Sequence, residues 1–373
     1  DSDEWKTMAL ASFSKKKGVY DDKINLIYKL TENGFEMDLS FFDYYLFDKK
    51  PNFFNKKFIE LFGIPRKKNG KLLKKHFEIS GALQRAFEKI VFHLLKITKV
   101  LGGKSGNIAI AGGAAMNCVF NGLLEKNNIY NNNFIPPWPD DLGVSVGATY
   151  LVNNNIKKRN KNLKRVCSVY LGPSYSKKEI FSTLKKYNLN FHKPKNLQNY
   201  VANKLANGHL VGWFQDRMEF SHRALGNRSI LADPRRKQIQ KKVNSAVKYR
   251  ESFRPFAPAI MEEKAYEIFD IRKKTKIEFM EKAVLVRKKW RKKIPAVTHI
   301  DGTARVQTVS KNVNPKFYNL INAFYQITDI PVLLNTSFNL SGEPIVTSPA
   351  DAIRTFYTCG LDVLVIGDYV IEK

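Results

Sequence analysis

The residues best suited to chemistry lie in FQDRMEFSHRALGNRSILADPRR, positions 214–236. Arg217, Arg223, Arg228, Arg235 and Arg236 stand close together there, interleaved with Gly226, Asn227, Ser229 and Asp233. The guanidinium group is a rigid fork of donors that fits phosphate and carboxylate oxygens. Several forks on one ordered segment repel each other unless an anion sits between them. Further basic residues follow in turn-rich contexts: Lys248, Arg250 and Arg254 in KYRESFRPFAPA (248–259), and Arg305 in DGTAR. Asn335-Thr336-Ser337-Phe338-Asn339 adds hydroxyl and amide groups. No Ser-His-Asp order and no Cys-His pairing stands out, and His222 and His299 read as packed or hydrogen-bonded histidines. A site rich in arginine and poor in general bases suits reactions in which charge on oxygen is held while a bond forms elsewhere. Phosphoryl, acyl and nucleotidyl transfer are of that kind.

These residues need elements to position them. The apolar residues of 214–236 keep no helical period, so the segment reads as a strand, Val211–Phe214, running into a long polar loop. Upstream, Ala82–Leu101 is an amphipathic helix that Ser80 is placed to cap and Gly102-Gly103 to stop. Asn107–Ala111 is a short strand, followed by Gly112-Gly113 and a helix over Ala114–Leu124. Strand, paired glycines and helix bring backbone N–H groups near a phosphate or ribose, or serve tight packing. FIPPWPDDLGVSVGATYL (134–151) repeats the theme, and its Asp140 and Asp141 suit either a metal or a helix cap.

Residues 152–165, VNNNIKKRNKNLKR, read as a linker between two α/β units. Beyond it, Ser176 and Glu179 form a capping box for a helix to about Tyr187. Leu197–Ala206 and Lys237–Val247 are the next helices. Ala283–Val286 is a strand. Ala296–Ile300 and Thr303–Val309 read as a hairpin around Asp301-Gly302, with Arg305, Gln307 and Val309 on one face. Pro331–Leu334 is a buried strand ending in the polar Asn335–Asn339. Ser348-Pro349 opens a helix, and a hairpin closes the chain. Near the start, Trp5–Ala11 reads as a short buried segment, and the aromatic-rich Phe41–Phe62 as core.

The bounds are those of a two-domain globular protein: 373 residues, 43% of them hydrophobic. Lys and Arg number 63 against 34 Asp and Glu, a net charge of +29. That balance suits an anionic substrate or nucleic acid. Much of the excess, however, is lysine scattered beside asparagine, so nucleic acid is not the expected partner. Cys118, Cys167 and Cys359 are far apart and odd in number, which points to a reducing cytoplasm. No apolar run reaches the roughly 20 residues of a bilayer span, and no membrane partner is expected.

Several motifs together resemble the NodU/CmcH family of O-carbamoyltransferases. They are GGAAMNC (112–118), DRMEFSHRALGNRSILADPR (216–235), YRESFRPFAPA (249–259), THIDGTARVQTV (298–309) and LLNTSFNLSGEPIVTSPADAI (333–353). The resemblance implies an actin-like ATPase-type (ASKHA) lobe followed by a YrdC-like α/β domain. The expected division is 1–160 and 161–373. It implies that carbamoyl phosphate and ATP, the latter with Mg, give carbamoyl adenylate with release of phosphate and pyrophosphate. The carbamoyl group then passes to a hydroxyl, expected on a sugar-containing or secondary-metabolite acceptor. Carried over by motif, Arg223, Lys248, Arg254, Arg305 and Ser337 line the carbamoyl phosphate and adenylate site. Gly112, Gly113 and Asn117 fall at the nucleotide site of the first domain. Arg217, Arg228, Asn335 and Asn339 are expected at bound nucleotide, and Asp141 at a metal.

Two departures mark this chain. Ser221-His222 stands where the family has Gly-Pro before RALG. The family's HxxxH metal pair is absent among His76, His93, His192, His209, His222 and His299. Iron or a similar ion at Asp141 therefore requires histidines from elsewhere. The chain reads as a family member lacking roughly its first third, with a homodimer or a separate N-terminal polypeptide as expected protein partner. Two other readings compete: a tRNA-binding or threonylcarbamoylation-type protein, and a nucleotide-binding fragment without turnover.

Overall fold

A computed structural model describes residues 4–14, 16–43, 53–67, 70–102, 105–156, 168–249, 251 and 253–373. The chain divides into two compact units. One comprises Asp1–Ile108 with Lys126–Asn133, the other Ala109–Glu125 with Phe134–Lys373.

The first unit holds α1 (Glu4–Ala11), α2 (Val19–Asn25), the antiparallel hairpin β1 (Tyr28–Thr31) and β2 (Gly34–Met37), α3 (Lys56–Phe62) and α4 (Lys74–Leu101). The helix α4 starts eight residues before its expected N-terminus. Its cap is made at Leu73, whose N–H donates to His76 Nδ1 at 2.9 Å. Ser80 is therefore interior, and its hydroxyl donates back to His76 O at 2.8 Å. Arg85 on α4 forks onto Asp21 of α2, with Nε–Oδ1 2.6 Å and Nη2–Oδ2 2.9 Å. Its Nη1 donates to Ser14 O at 2.7 Å. The apolar faces of these helices meet through Ile24, Ala82 and Ala86. Phe41 and Phe62 are core, as their aromatic-rich stretch suggests, whereas Tyr44, Tyr45 and Phe47 lie outside the described residues. Trp5 departs from its expected burial: it sits on α1 and remains 37% exposed.

Strands β3 (Asn107–Ala109) and β4 (Asn132–Phe134) form a small ribbon, and α5 (Cys118–Asn127) lies between them in sequence. Residues 109–125 join the second unit for a packing reason. Asn121, fully buried on α5, donates to Ala115 O and to Glu281 O at 2.7 and 2.9 Å. A Cβ on Gly122 would lie 1.8 Å from Ala283 O, so only glycine permits that approach. The helix α6 (Val144–Ile156) takes up the first residues of the expected linker; its remainder, and the expected boundary near residue 160, lie outside the described residues.

The second unit is built on a mixed seven-stranded sheet in the order β10-β7-β11-β6-β5-β12-β13. Its strands are β5 (Val211–Phe214), β6 (Arg228–Ala232), β7 (Ala257–Met261), β10 (Gln307–Val309), β11 (Val332–Ser337), β12 (Val363–Ile366) and β13 (Tyr369–Glu372). The pairs β10–β7 and β12–β5 are parallel, the others antiparallel. Every residue of β5, β6, β7 and β12 is buried, so the central strands are covered on both faces. The cover includes α7 (Lys177–Lys186), α8 (Leu197–Ala206), α12 (Pro315–Thr328) and α13 (Pro349–Tyr357). The capping box at Ser176 forms and the helix opens at Ser348, as the sequence indicates, and Ser348 with Asp351 makes a second capping box. Short helices α9 (Lys237–Val243), α10 (Ala265–Ile268) and α11 (Lys288–Arg291) complete the unit.

Three expectations change here. The arginine-rich segment is not all loop: Arg228–Ala232 is the strand β6, pairing β5 and β11. Asn335–Ser337 belong to β11 rather than to a loop. The hairpin over 296–309 does not form. Residues 303–305, as β9, pair antiparallel with β8 (Ala283–Leu285), while residues 307–309 pair parallel with β7. The turn at Asp301-Gly302 is real, with Gly302 at φ +80, but the strands beside it serve different partners and Arg305 shares no sheet with Gln307. The α/β class stands. Among the described residues no helix is long and apolar enough to cross a membrane.

Candidate functional site

The loop between β5 and β6 is organised by a residue whose importance its sequence does not announce. Glu219 is buried, and its Oε1 accepts from three backbone N–H groups: Leu225 at 2.7 Å, Asn227 at 2.7 Å and Arg228 at 3.2 Å. A carboxylate gathering three amides is an internal anchor that bends HRALGN around itself. Asn227 extends it, donating to Arg217 O and accepting from Asn314 Nδ2. Gly226 has φ +107, and a Cβ there would lie 2.2 Å from Phe317.

Arg228 is spent inside this scaffold. It is fully buried, lies 3.6 Å above the Phe214 ring, and donates to the carbonyls of Gln215, Asn227, Pro173 and Asp216. Its Nη1 and Nη2 hold the strand ends together. Arg217 is exposed and donates to Leu171 O at 2.7 Å. Arg235 turns back on the buried Asp233, Nη2–Oδ2 2.8 Å.

Arg223 projects from the anchored loop into a different setting. Arg305 and Arg254 are its electrostatic neighbours, and its pKa is held below the usual arginine range, first by the Arg305 guanidinium and then by burial, with Arg254 adding to both. Guanidinium groups stay protonated in proteins. The cluster therefore stores like-charge repulsion that a bound anion relieves. Arg254 pairs with Glu251, Nη1–Oε2 3.6 Å. The thiol of Cys118 adjoins the same group; burial pushes it up against the pull of Arg305 and Arg223, so it is an inert thiol.

Lys248 is placed with Ser337 and Asn339. It ends an irregular helical turn over Asn244–Lys248, ahead of Tyr249 in the left-handed region. Its buried ammonium donates to Ser337 O (2.6 Å), Ser337 Oγ (3.1 Å), Asn339 O (3.0 Å) and Asn339 Oδ1 (2.5 Å). The sequence joined Arg223, Lys248, Arg254 and Arg305 in one site. The structure brings the three arginines into one field and gives Lys248 this shell of oxygens. Asn335 is buried and donates to Ala224 O and Gln307 Oε1, so it braces the back of the loop. Arg250 lies outside the described residues.

A cavity of about 940 Å³ opens in the same unit. Gly112, Trp138, Asp140, Asp141, Tyr150 and Gln307 are among its lining residues. Gly112 has φ +97, and no atom lies within 4 Å of a Cβ built on Gly112 or Gly113. Backbone there is open to a close-approaching group, as the paired glycines suggested. Asn117 caps α5, accepting from Phe120 N–H at 3.0 Å. Of the two acids left open between cap and metal, Asp140 is a cap, accepting from Leu142 N–H. It also faces His222, with Nε2–Oδ1 2.7 Å. Burial opposes its ionisation, but the hydrogen bond and charge of His222 hold its pKa below the ordinary value. Asp141 begins the short turn that follows. Among the described residues no three His, Cys, Asp or Glu side chains come together as metal ligands. That donor set does not fit the transition metal the resemblance implies.

Comparison with known proteins agrees with the motifs. Residues 1–150 match the model described as carbamoyltransferase N-terminus, and residues 202–373 the one described as carbamoyltransferase C-terminus. Nodulation protein NolNO of Sinorhizobium fredii is 38% identical over 375 residues, covering 100% of this chain and 53% of that protein. Nodulation protein NolO of Bradyrhizobium diazoefficiens is 41% identical over 312 residues, 83% of this chain and 57% of that protein. An uncharacterized protein of Methanocaldococcus jannaschii is 34% identical over 100% of this chain and 59% of its own length. Among solved structures, full-length HypF in its phosphate- and nucleotide-bound form aligns with 49% of this chain and 22% of that chain. The TM-score is 0.29 at 13% identity, too low a likeness to argue from. The chain thus spans a little over half the length of these three relatives. With N- and C-terminal models matched in order across most of its length, the chain belongs to the carbamoyltransferase family.

Proposed function

We propose that the second unit activates a carbamoyl group as its adenylate, from carbamoyl phosphate and ATP, for transfer to an acceptor hydroxyl. The observation that carries this reading is the crowding of Arg223 by Arg305 and Arg254, whose repulsion together with burial outweighs the opposing pull of Asp140. Such a field binds and orients phosphate oxygens and strengthens where water is excluded. With water, carbamoyl phosphate gives carbamate and phosphate. A carbamate oxygen then attacks the α-phosphorus of ATP, the bond to the bridging oxygen breaks, and pyrophosphate leaves with that electron pair. The acceptor hydroxyl oxygen next attacks the carbamoyl carbon. AMP leaves, and the hydroxyl proton passes to solvent.

The arginines hold the charge that builds on the phosphoryl oxygens. The ammonium of Lys248 holds Ser337 and Asn339 in place, and Mg accompanies ATP. The acceptor is a hydroxyl compound, expected on a sugar. The test is carbamoyl-phosphate-dependent exchange of labelled pyrophosphate into ATP. The wild-type chain is expected to exchange, and Arg223→Ala and Arg305→Ala to lose most of the rate. Exchange unchanged in the double variant, or none in the wild type, overturns the proposal.

A further inference from the structure

The turn that delivers Arg305 folds upon itself. His299 N–H donates to Thr303 O at 2.8 Å, and Gly302 N–H donates to His299 O at 2.9 Å. Asp301 Oδ1 accepts from Thr303 N–H at 2.8 Å and from the Thr303 hydroxyl at 2.6 Å. His299 Nδ1 lies 3.0 Å from Thr303 Oγ1. A hydroxyl has one proton to give, and Thr303 gives it to the carboxylate, the closer and charged acceptor. Toward His299 the same oxygen can only accept. The proton of the imidazole therefore sits on Nδ1, and Nε2 presents a lone pair. Burial pushes the ring pKa down to about 4, Asp301 opposing and Arg305 adding, so the ring is neutral near pH 7.

Nε2 is buried and has no hydrogen-bond partner. A buried acceptor without a donor is costly, and one left so in a native fold calls for an explanation. Here it belongs to the turn that leads into the strand ending at Arg305, and the Arg305 charge acts on the ring. The arginines of the anion site are donors only. They can hold phosphate and carbonyl oxygens, but none can accept from an amino group. A carbamoyl ligand has an amino group, and His299 Nε2, on the turn that leads to Arg305, is a buried acceptor without a donor.

We propose that His299 Nε2 accepts a hydrogen bond from the amino group of a carbamoyl ligand held by Arg223, Arg254 and Arg305, and so distinguishes carbamoyl from acyl groups of the same shape. This rests on the anion-site reading above. Acetyl phosphate is the natural contrast: a methyl group replaces the amino group at nearly equal size and leaves Nε2 unpaired. Sites built to bond a substrate N–H reject analogues that lack it far more strongly than a missing methylene would allow. Thr303 and Asp301 are positioning residues that fix the tautomer.

Calorimetric titration with carbamoyl phosphate, acetyl phosphate and inorganic phosphate tests the assignment. The wild type is expected to favour carbamoyl over acetyl phosphate by on the order of 10- to 100-fold. His299→Ala abolishes that preference while leaving acetyl and inorganic phosphate binding within about twofold. Thr303→Val, which keeps shape but removes the relay, reduces the preference without changing inorganic phosphate binding. A preference equal in wild type and His299→Ala, or a parallel loss of all three ligands, overturns the proposal. Failure of inorganic phosphate to bind the wild type instead removes the anion-site reading and the proposal with it. Should His299→Ala not fold, histidine-ring nitrogen NMR of the wild type decides. An unprotonated Nε2 on His299 that responds to carbamoyl phosphate but not to acetyl phosphate supports the assignment, and a protonated Nε2 overturns it.

Discussion

At the scale of single residues, the arginines of this chain divide into two kinds that composition cannot separate. Arg228 and Arg235 are built into the fold, on backbone carbonyls and on Asp233. Arg223 is crowded by Arg305 and Arg254. Inorganic phosphate should therefore raise the melting temperature of the wild type, because binding to the native state alone stabilises it. Arg305→Ala should weaken that binding by about 1.5–3 kcal/mol, the range for a hydrogen bond to a charged group. A shift of equal size in Arg228→Met and Arg305→Ala would reverse the division. Glu219 gives the complementary expectation. Removing its carboxylate strands three buried N–H groups, so Glu219→Ala should lower the urea midpoint by an amount worth about 3 kcal/mol at unchanged m-value.

At the scale of elements, two joints are open to test. The first unit is held where α2 meets α4 by Asp21 and Arg85. The side-chain hydrogen bond from Arg85 is the largest influence on Asp21 and holds its pKa below the ordinary 3.8 against the opposing effect of burial. A carboxyl depressed in the folded state contributes stability above its unfolded pKa and loses it as pH falls through the folded value. Asp21→Asn should thus be less stable than the wild type at pH 7, by about 1–3 kcal/mol. The gap should close below about pH 4. A gap that persists at pH 2 in urea titrations would show packing, not charge, to be the cause. In the second unit, Gly226→Ala meets a left-handed backbone and the Phe317 ring together. It should cost about 2 kcal/mol or more by thermal unfolding.

At the scale of the whole molecule, the net charge of +29 acts at long range. If anionic substrates enter the arginine site through that field, salt should slow their capture more than the chemistry that follows. The expected outcome is a kcat/KM for ATP in pyrophosphate exchange that falls severalfold between about 0.05 and 0.5 M salt, with kcat little changed. A kcat that falls in parallel would place the salt effect on the bound state.

Much of this was legible in the chain before any coordinates. The capping box at Ser176, the helix start at Ser348, the helix Leu197–Ala206 and the closing hairpin rest on local chemistry, and local chemistry is written in adjacent residues. The family motifs were equally legible, as was the pairing of Ser337 and Asn339 with basic residues. What the sequence could not decide depends on partners far away in it. Whether GNRSILA is loop or strand is set by β5 and β11, which lie on either side of it in the sheet. Whether Thr303–Val309 is one strand or two is set by β8 and β7, which pull its halves apart. Arg228 and Arg223 stand five positions apart with similar neighbours in sequence, and only the fold turns one onto backbone carbonyls and sets the other against Arg305. His299 is the hydrogen-bonded histidine the sequence suggests, but residue type says nothing of tautomer. The proton on Nδ1 and the lone pair on Nε2 follow from where the Thr303 hydroxyl points, and that direction exists only in three dimensions.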